Sequence, residues 1–260
     1  MCALIYDIGL NDGADTAHYL KDGARVVAIE ANPVLCAAAE SRFRDPIRSG
    51  QLTIVNRGVA ERAGQFEFWI CEDESKWSSF HRGLAAHNGA KHHAITVDCV
   101  TAMEVVEQFG VADYMKIDIQ GNDGVCIAGL SAASAPPYIS IELDLVRGDR
   151  DIGRLAALGY RGFKVICQNT AWHQVTTGNI WFYRLGPCHP LVRPAKRVRT
   201  GIAHRMGGRI VGESGPWGEK TSGDWHSPDH ALAVWHLLRE IDEQLSPRGP
   251  GWWFDVHARK

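Results

Sequence analysis

The stretch ALIYDIGLNDG, residues 3–13, decides how the rest of the chain is read. An apolar run ends at Asp7, and Gly9, Asn11 and Gly13 follow at every second position. The run predicts a buried strand. The small residues after it predict a turn where backbone comes close to a ligand or to a neighbouring segment. A dinucleotide loop needs G-x-G-x-x-G, so that backbone and helix can close on a pyrophosphate. Counted from Gly9, Asn11 and Ala14 stand where the second and third glycines belong. The phosphate loop G-x-x-x-x-G-K-[ST] is absent as well.

What is present is Asp7-x-Gly9-x-Asn11-x-Gly13. This is the acidic-x-G-x-G-x-G pattern of S-adenosylmethionine (SAM) enzymes, with Asn at the middle glycine. SAM has no phosphate. Small residues let the backbone approach it, Asn11 can hydrogen-bond its amino-acid end, and a helix N-terminus attracts its carboxylate. Glu30 ends the second apolar strand, VVAIE, 21 residues after Gly9. An acid there can accept hydrogen bonds from both ribose hydroxyls. The plainer alternatives are a structural turn at the glycines and an exposed acid at a strand end.

Working outward, apolar β-rich runs alternate with helical patterns. Strands are expected at 3–9, 26–30, 52–55, 65–70, 93–98, 114–119, 137–143, 161–166 and 179–185. Asn32-Pro33 opens a helix to about Phe43, with Asn as N-cap and Pro at the first helical position. Ser227-Pro228 caps another, with Ala231, Val234, Trp235, Leu238, Ile241 and Leu245 on one face. The alternation implies an α/β fold: a doubly wound, mainly parallel sheet covered on both faces. Ligands then bind beyond the carboxyl ends of the strands, where Gly9–Gly13, Glu30, Asp118–Asn122 and Glu142–Asp144 all fall. Residues 72–92 are polar and turn-rich, and residues 186–260 are rich in Gly, Pro and Trp. The expected division is a SAM-binding domain over 1–185 and an extension over 186–260. The 72–92 loop and the extension are the segments expected to cover the site.

Composition narrows the classes. Apolar content of 45% and charged content of 22% are those of an ordinary globular protein. No run is long enough to span a membrane, and the start lacks a signal-peptide pattern, so a cytoplasmic location is expected. A net charge of −2 gives no general affinity for nucleic acid. Seven scattered cysteines without a C-x-x-C pair read as reduced core thiols. From Arg184 to Arg209 there are seven Lys/Arg and no acid. That stretch reads as a solvated face or an oligomer contact, for instance a homodimer, or else as a surface for an anionic substrate.

With DIGLNDG, IEANP, NRGVAE (56–61), TVD (96–98) and KIDIQGND (116–123) in this order, the chain resembles the FkbM family of SAM-dependent methyltransferases over residues 5 to about 145. Gln120 departs from the Glu usual there. The resemblance implies a class I methyltransferase fold, Rossmann-like and seven-stranded, with SAM as donor. It also implies an acceptor hydroxyl on a small molecule, a saccharide or glycoside first and a polyketide-type product second. The SAM contacts it implies are Asp7, Gly9, Asn11, Gly13, Glu30, Ala31, Asn32, Gly58, Val59, Ser79 and Asp118.

Methyl transfer to an alcohol needs a base, or a metal that lowers the alcohol's pKa. Asp118, Glu142 and Asp144, at two strand ends, can hold Mg²⁺ together with substrate oxygens. Alternatively, Asp118 binds SAM or buttresses the loop while the other two are solvated. For the base, His226 in GDWHSP is the first candidate among twelve histidines and Glu142 the second. The histidines at 81, 87, 92 and 93, in or beside the 72–92 loop, are further possibilities. A non-catalytic SAM-binding module is the reading from another class.

Overall fold

The structure is a computed structural model and describes residues 2–170, 173–187, 189, 192, 214–245 and 252–260. Cys188 and the basic stretch from Arg193 to Arg209 lie outside these residues. The chain divides into two compact units, Met1–Ile139 and Ser140–Lys260.

The first unit is built on four parallel strands. β1 (Leu4–Ile8) pairs with β2 (Arg25–Glu30), and β2 with β3 (Leu52–Asn56). A short strand β4 (Gly58–Val59), a hairpin of β5 (Gly64–Cys71) and β6 (His92–Val100), and β7 (Tyr114–Ile117) follow. β7 returns to the other side of β1, so the order is β7-β1-β2-β3. All five residues of β1 are buried, as expected of a strand flanked by strands and covered on both faces. The chain runs from β1 to one side and comes back to the other, so β1 and β7 form the topological switch point. β5 and β6 do not join these strands. With β4 they make a separate three-stranded sheet around Ala60, Phe68, Val97 and Cys99.

Helices α1 (Ala14–Lys21), α2 (Pro33–Arg42), α3 (Arg44–Arg48), α4 (Arg82–Ala85), α5 (Ala102–Phe109) and α6 (Asp123–Ala128) connect these strands. The Asn32 side chain accepts from Val34 N at the start of α2, as its sequence signature requires. Thr101 and Glu104 close a full capping box on α5.

The remaining strands run in the order β10-β9-β11-β8, with β9 (Gly162–Cys167), β10 (His173–Val175) and β11 (Phe254–Arg259) in the second unit and β8 (Tyr138–Glu142) starting two residues before it. β10 and β11 both run antiparallel to β9. The two groups of strands number eight where seven were expected, and the set is mixed. The α/β class I fold holds. Helices α7 (Gly148–Ala157), α8 (Ile180–Tyr183) and α9 (Pro228–Leu245) complete the unit. The six residues expected on the apolar face of α9 are all buried. Gly148 lets Trp235 pack closely, because a Cβ there would meet the indole at 2.6 Å.

One reading of the second unit is corrected. Residues 179–185 form a helical turn, not a strand. Asn179 accepts from Thr176 N and donates to Gln174 O, which turns the backbone before a strand can form. The end of the extension is a central strand. FDVHAR alternates like an exposed edge, yet Asp255 and His257 are almost fully buried. Of the described cysteines, Cys2 is exposed and the other five are buried, all of them free. Among the described residues no helix is long and apolar enough to cross a membrane.

Candidate cofactor site

The loop after β1 is held from beneath. Lys116, in the middle of β7, is 3% exposed and donates from Nζ to the Gly9 carbonyl at 2.7 Å. The same ammonium lies 3.1 Å from Asp7, 3.8 Å from Asp15 and 4.0 Å from Asp118. Burial alone would lower the lysine pKa. The carboxylates of Asp7, Asp118 and Asp15 outweigh it and hold the pKa well above the ordinary value. Asp7, fully buried, also accepts from Thr16 Oγ1 at 2.6 Å, which ties strand to helix.

Glycine is required where the loop turns. Gly9 has φ +90°, and a Cβ on it would lie 1.9 Å from the Asp118 carbonyl oxygen. That contact brings the ends of β1 and β7 together. Gly13, the N-cap of α1, has φ +76°, and a Cβ would meet Phe43 at 2.7 Å. Asn11 takes the middle place at φ +46°, a conformation Asn tolerates better than most residues.

Glu30 is buried at the end of β2. Its two oxygens accept from Asn11 N at 2.9 Å and Asn32 N at 2.8 Å. Burial raises its pKa, and the two backbone donors oppose the rise. Each oxygen keeps a second lone pair for a ribose hydroxyl. Glu30 is therefore a strut for the loop as well as an available acceptor. Ala31 lies beside it, its carbonyl reached by Asn56 Nδ2 at 3.3 Å.

The segment after β7 is equally constrained. Gln120 at φ +48° and Gly121 at φ +91° turn the chain sharply. Asp123 accepts from Ile119 N and Gly121 N, both at 3.1 Å, and fixes that turn. Burial first, then the Asp118 charge, push its pKa up to about 7. Asp118 receives Gln120 Nε2 at 3.4 Å. Asn122 Nδ2 reaches the Val59 carbonyl at 3.3 Å, and Gly58 packs so closely that a Cβ would meet Phe80 at 2.5 Å.

The 72–92 segment is fastened onto both loops. Ser75 Oγ donates to Asn11 Oδ1 at 2.8 Å, and Ser79 Oγ donates to the Gln120 carbonyl at 2.7 Å. Ser79 has no exposed surface and also accepts from His81 N. Its hydroxyl therefore fastens the 72–92 segment, a strap, to the loop after β7. Lys116, Asp123 and Ser75 were missed from sequence. The signal for Lys116 was legible: a lysine in the middle of an apolar strand, two residues before Asp118.

The expected residues at 142, 144 and 226 all belong to the second unit. Asp144 Oδ1 accepts from Val146 N at 2.7 Å and Arg147 N at 2.9 Å, which caps the turn into α7. Glu142 ends β8, half-buried. His226 bridges antiparallel to Phe163 through its backbone and stacks on His230, with ring centroids 4.1 Å apart. Among the described residues no group of three or more His, Cys, Asp or Glu is arranged to hold a metal ion. The expectation of Mg²⁺ at Asp118, Glu142 and Asp144 therefore gains no support from these residues.

Comparison with known proteins follows the same line. The methyltransferase FkbM domain profile matches residues 7–164. No curated protein matches the chain. Among solved structures, the FkbM methyltransferase from Methylobacillus flagellatus KT is 15% identical, with a TM-score of 0.41. That match covers 61% of this chain, and the chain spans only 38% of that protein's length. The [4+2]-cyclase SpnF is 12% identical over 100% of this chain and 75% of its own, with a TM-score of 0.42. A predicted O-methyltransferase from Agrobacterium tumefaciens is 12% identical over 64% of this chain and 65% of its own, with a TM-score of 0.37. With more than half of its length matched by the domain profile, the chain belongs to the FkbM methyltransferase family.

Proposed function

We propose that this chain is a SAM-dependent O-methyltransferase acting on a hydroxyl of a small molecule, a saccharide or glycoside in the first place. The observation that carries the reading is the loop at the β1/β7 switch point. It is small, left-handed at Gly9, Asn11 and Gly13, and braced by Lys116 and Glu30. It lacks the glycines a pyrophosphate needs and suits a ligand without phosphate.

SAM, when bound, supplies a methyl group on a positively charged sulfur. The residues suited to hold it are Gly9–Gly13 for the methionine end and Glu30 for the ribose. Gly58 and Val59 offer backbone for the adenine, and Asp118 stands beside the reacting end. The strap formed by residues 72–92 is tied to both loops through Ser75 and Ser79. After β7 the chain reads D-I-Q-G, without the N-P-P-[YF] block expected of amino-base methyltransferases, which favours an oxygen acceptor.

The test is to incubate the protein with SAM and a panel of methyl glycosides, phenols and amines, and to read products by mass spectrometry. A mass gain of one methylene on a hydroxylated glycoside, with stoichiometric S-adenosylhomocysteine (SAH), is expected. Transfer to amines alone would contradict the reading.

A further inference from the structure

The segment Asp118–Asn122 lies at the switch point, in contact with the loop at Gly9. Four histidines lie in or beside the strap, and three of them are engaged. His87 stands edge-on to Trp77 at 5.0 Å. His92 Nδ1 is 2.8 Å from the Ala90 carbonyl, and its Nε2 receives Arg82 Nε at 3.3 Å. His93 pairs with Glu72 at 2.8 Å.

His81 differs from all three. Its backbone N–H is fixed to Ser79 Oγ at 3.0 Å, two residues after the bond that ties the strap to Gln120. Its ring lies over Gly121: a Cβ there would be 3.0 Å from His81 Cδ2 and 3.7 Å from Nε2. Glycine at 121 is favoured by its φ of +91°, and a Cβ there would crowd the imidazole and Leu84 Cδ1, each at 3.0 Å. The residue is exposed, and among the described residues no hydrogen bond or ion pair engages the ring. Asp118, the other proton acceptor on this segment, is already shared between the Gln120 amide and the Lys116 ammonium.

We propose that His81 is the base that takes the proton of the acceptor hydroxyl, an assignment that rests on the methyltransferase reading above. The acceptor oxygen bonds to the methyl carbon as the carbon–sulfur bond breaks. The electron pair of that bond stays on sulfur, which loses its positive charge. The hydroxyl proton passes to His81 and from there to water. His81 replaces His226 in this role.

The assignment places residue 81 beside the sulfonium, and that is testable without knowing the acceptor. SAM and SAH differ by the methyl group and its charge. Calorimetric affinities for both, at low salt, are measured on the wild type, His81→Glu and His81→Lys. A fixed charge this close shifts relative affinity by about threefold or more. His81→Glu is expected to favour SAM over SAH, and His81→Lys to disfavour it. The same SAM/SAH ratio in all three proteins overturns the assignment. Failure of the wild type to bind either ligand overturns the methyltransferase reading itself. For an acceptor that the wild type methylates, His81→Gly is expected to lose on the order of 100-fold in kcat. Free imidazole is expected to restore part of it. A loss that imidazole leaves untouched overturns the base role.

Discussion

At the scale of the residue, Lys116 is the most exacting position in the first unit. Among the described residues its ammonium is the single cation set among Asp7, Asp15 and Asp118, and it holds the Gly9 carbonyl. Removing one partner of a buried ionic cluster leaves charge uncompensated and costs about 3–5 kcal/mol. Lys116→Met should lower unfolding stability by that order in urea titrations; an unchanged midpoint would show that the cluster is not held by this lysine. A second residue sets the acid limit of the second unit. His257, on β11, is 2% exposed, and burial followed by the Lys164 charge lowers its pKa from 6.5 to about 3. The unfolded chain therefore binds the proton first. Stability is intact above pH 6.5 and declines as pH falls toward 3, by at most about 1.4 kcal/mol per pH unit from this group. His257→Gln should flatten the decline in urea midpoints between pH 6.5 and pH 4. Parallel curves for the two proteins would refute the assignment.

At the scale of the element, the strap meets the candidate site through two side-chain bonds. Ser75–Asn11 and Ser79–Gln120 tie it to the two loops that surround the candidate site. Ser79→Ala leaves the Gln120 carbonyl and the His81 amide without their partner, a cost of about 1–3 kcal/mol felt locally. Amide hydrogens of residues 72–92 should exchange faster in that variant, and SAH affinity should fall several-fold. Unchanged exchange would mean that the strap is held elsewhere. Elements with strong local signals were legible in the sequence: β1 from its apolar run, α2 from Asn32-Pro33, α9 from its periodic face. The helical turn at 180–183 was not, because Ile, Trp, Phe and Tyr read as strand while the decision lies with Asn179 hydrogen bonds. β11 was hidden because its buried Asp255 and His257 look like solvent-facing positions.

At the scale of the whole molecule, the arrangement of loops was readable and the partners within it were not. Strand–helix alternation and the missing pyrophosphate glycines pointed to the β1 loop, and β7 stands next to β1 in the structure. Which side chains brace that loop depends on strand register: Lys116 lies opposite Asp7 because β7 pairs with β1 residue for residue. The three-carboxylate metal expectation gains no support for a related reason. Strand ends can be listed from sequence, but the turn amides that Asp144 Oδ1 accepts cannot.

The central claim is that the Gly9–Gly13 loop seats SAM rather than a dinucleotide. Calorimetric titration of the protein with SAH and with NAD tests it most directly. Saturable one-to-one binding of SAH, with no heat from NAD, is the predicted result. Binding of NAD without binding of SAH would contradict the account.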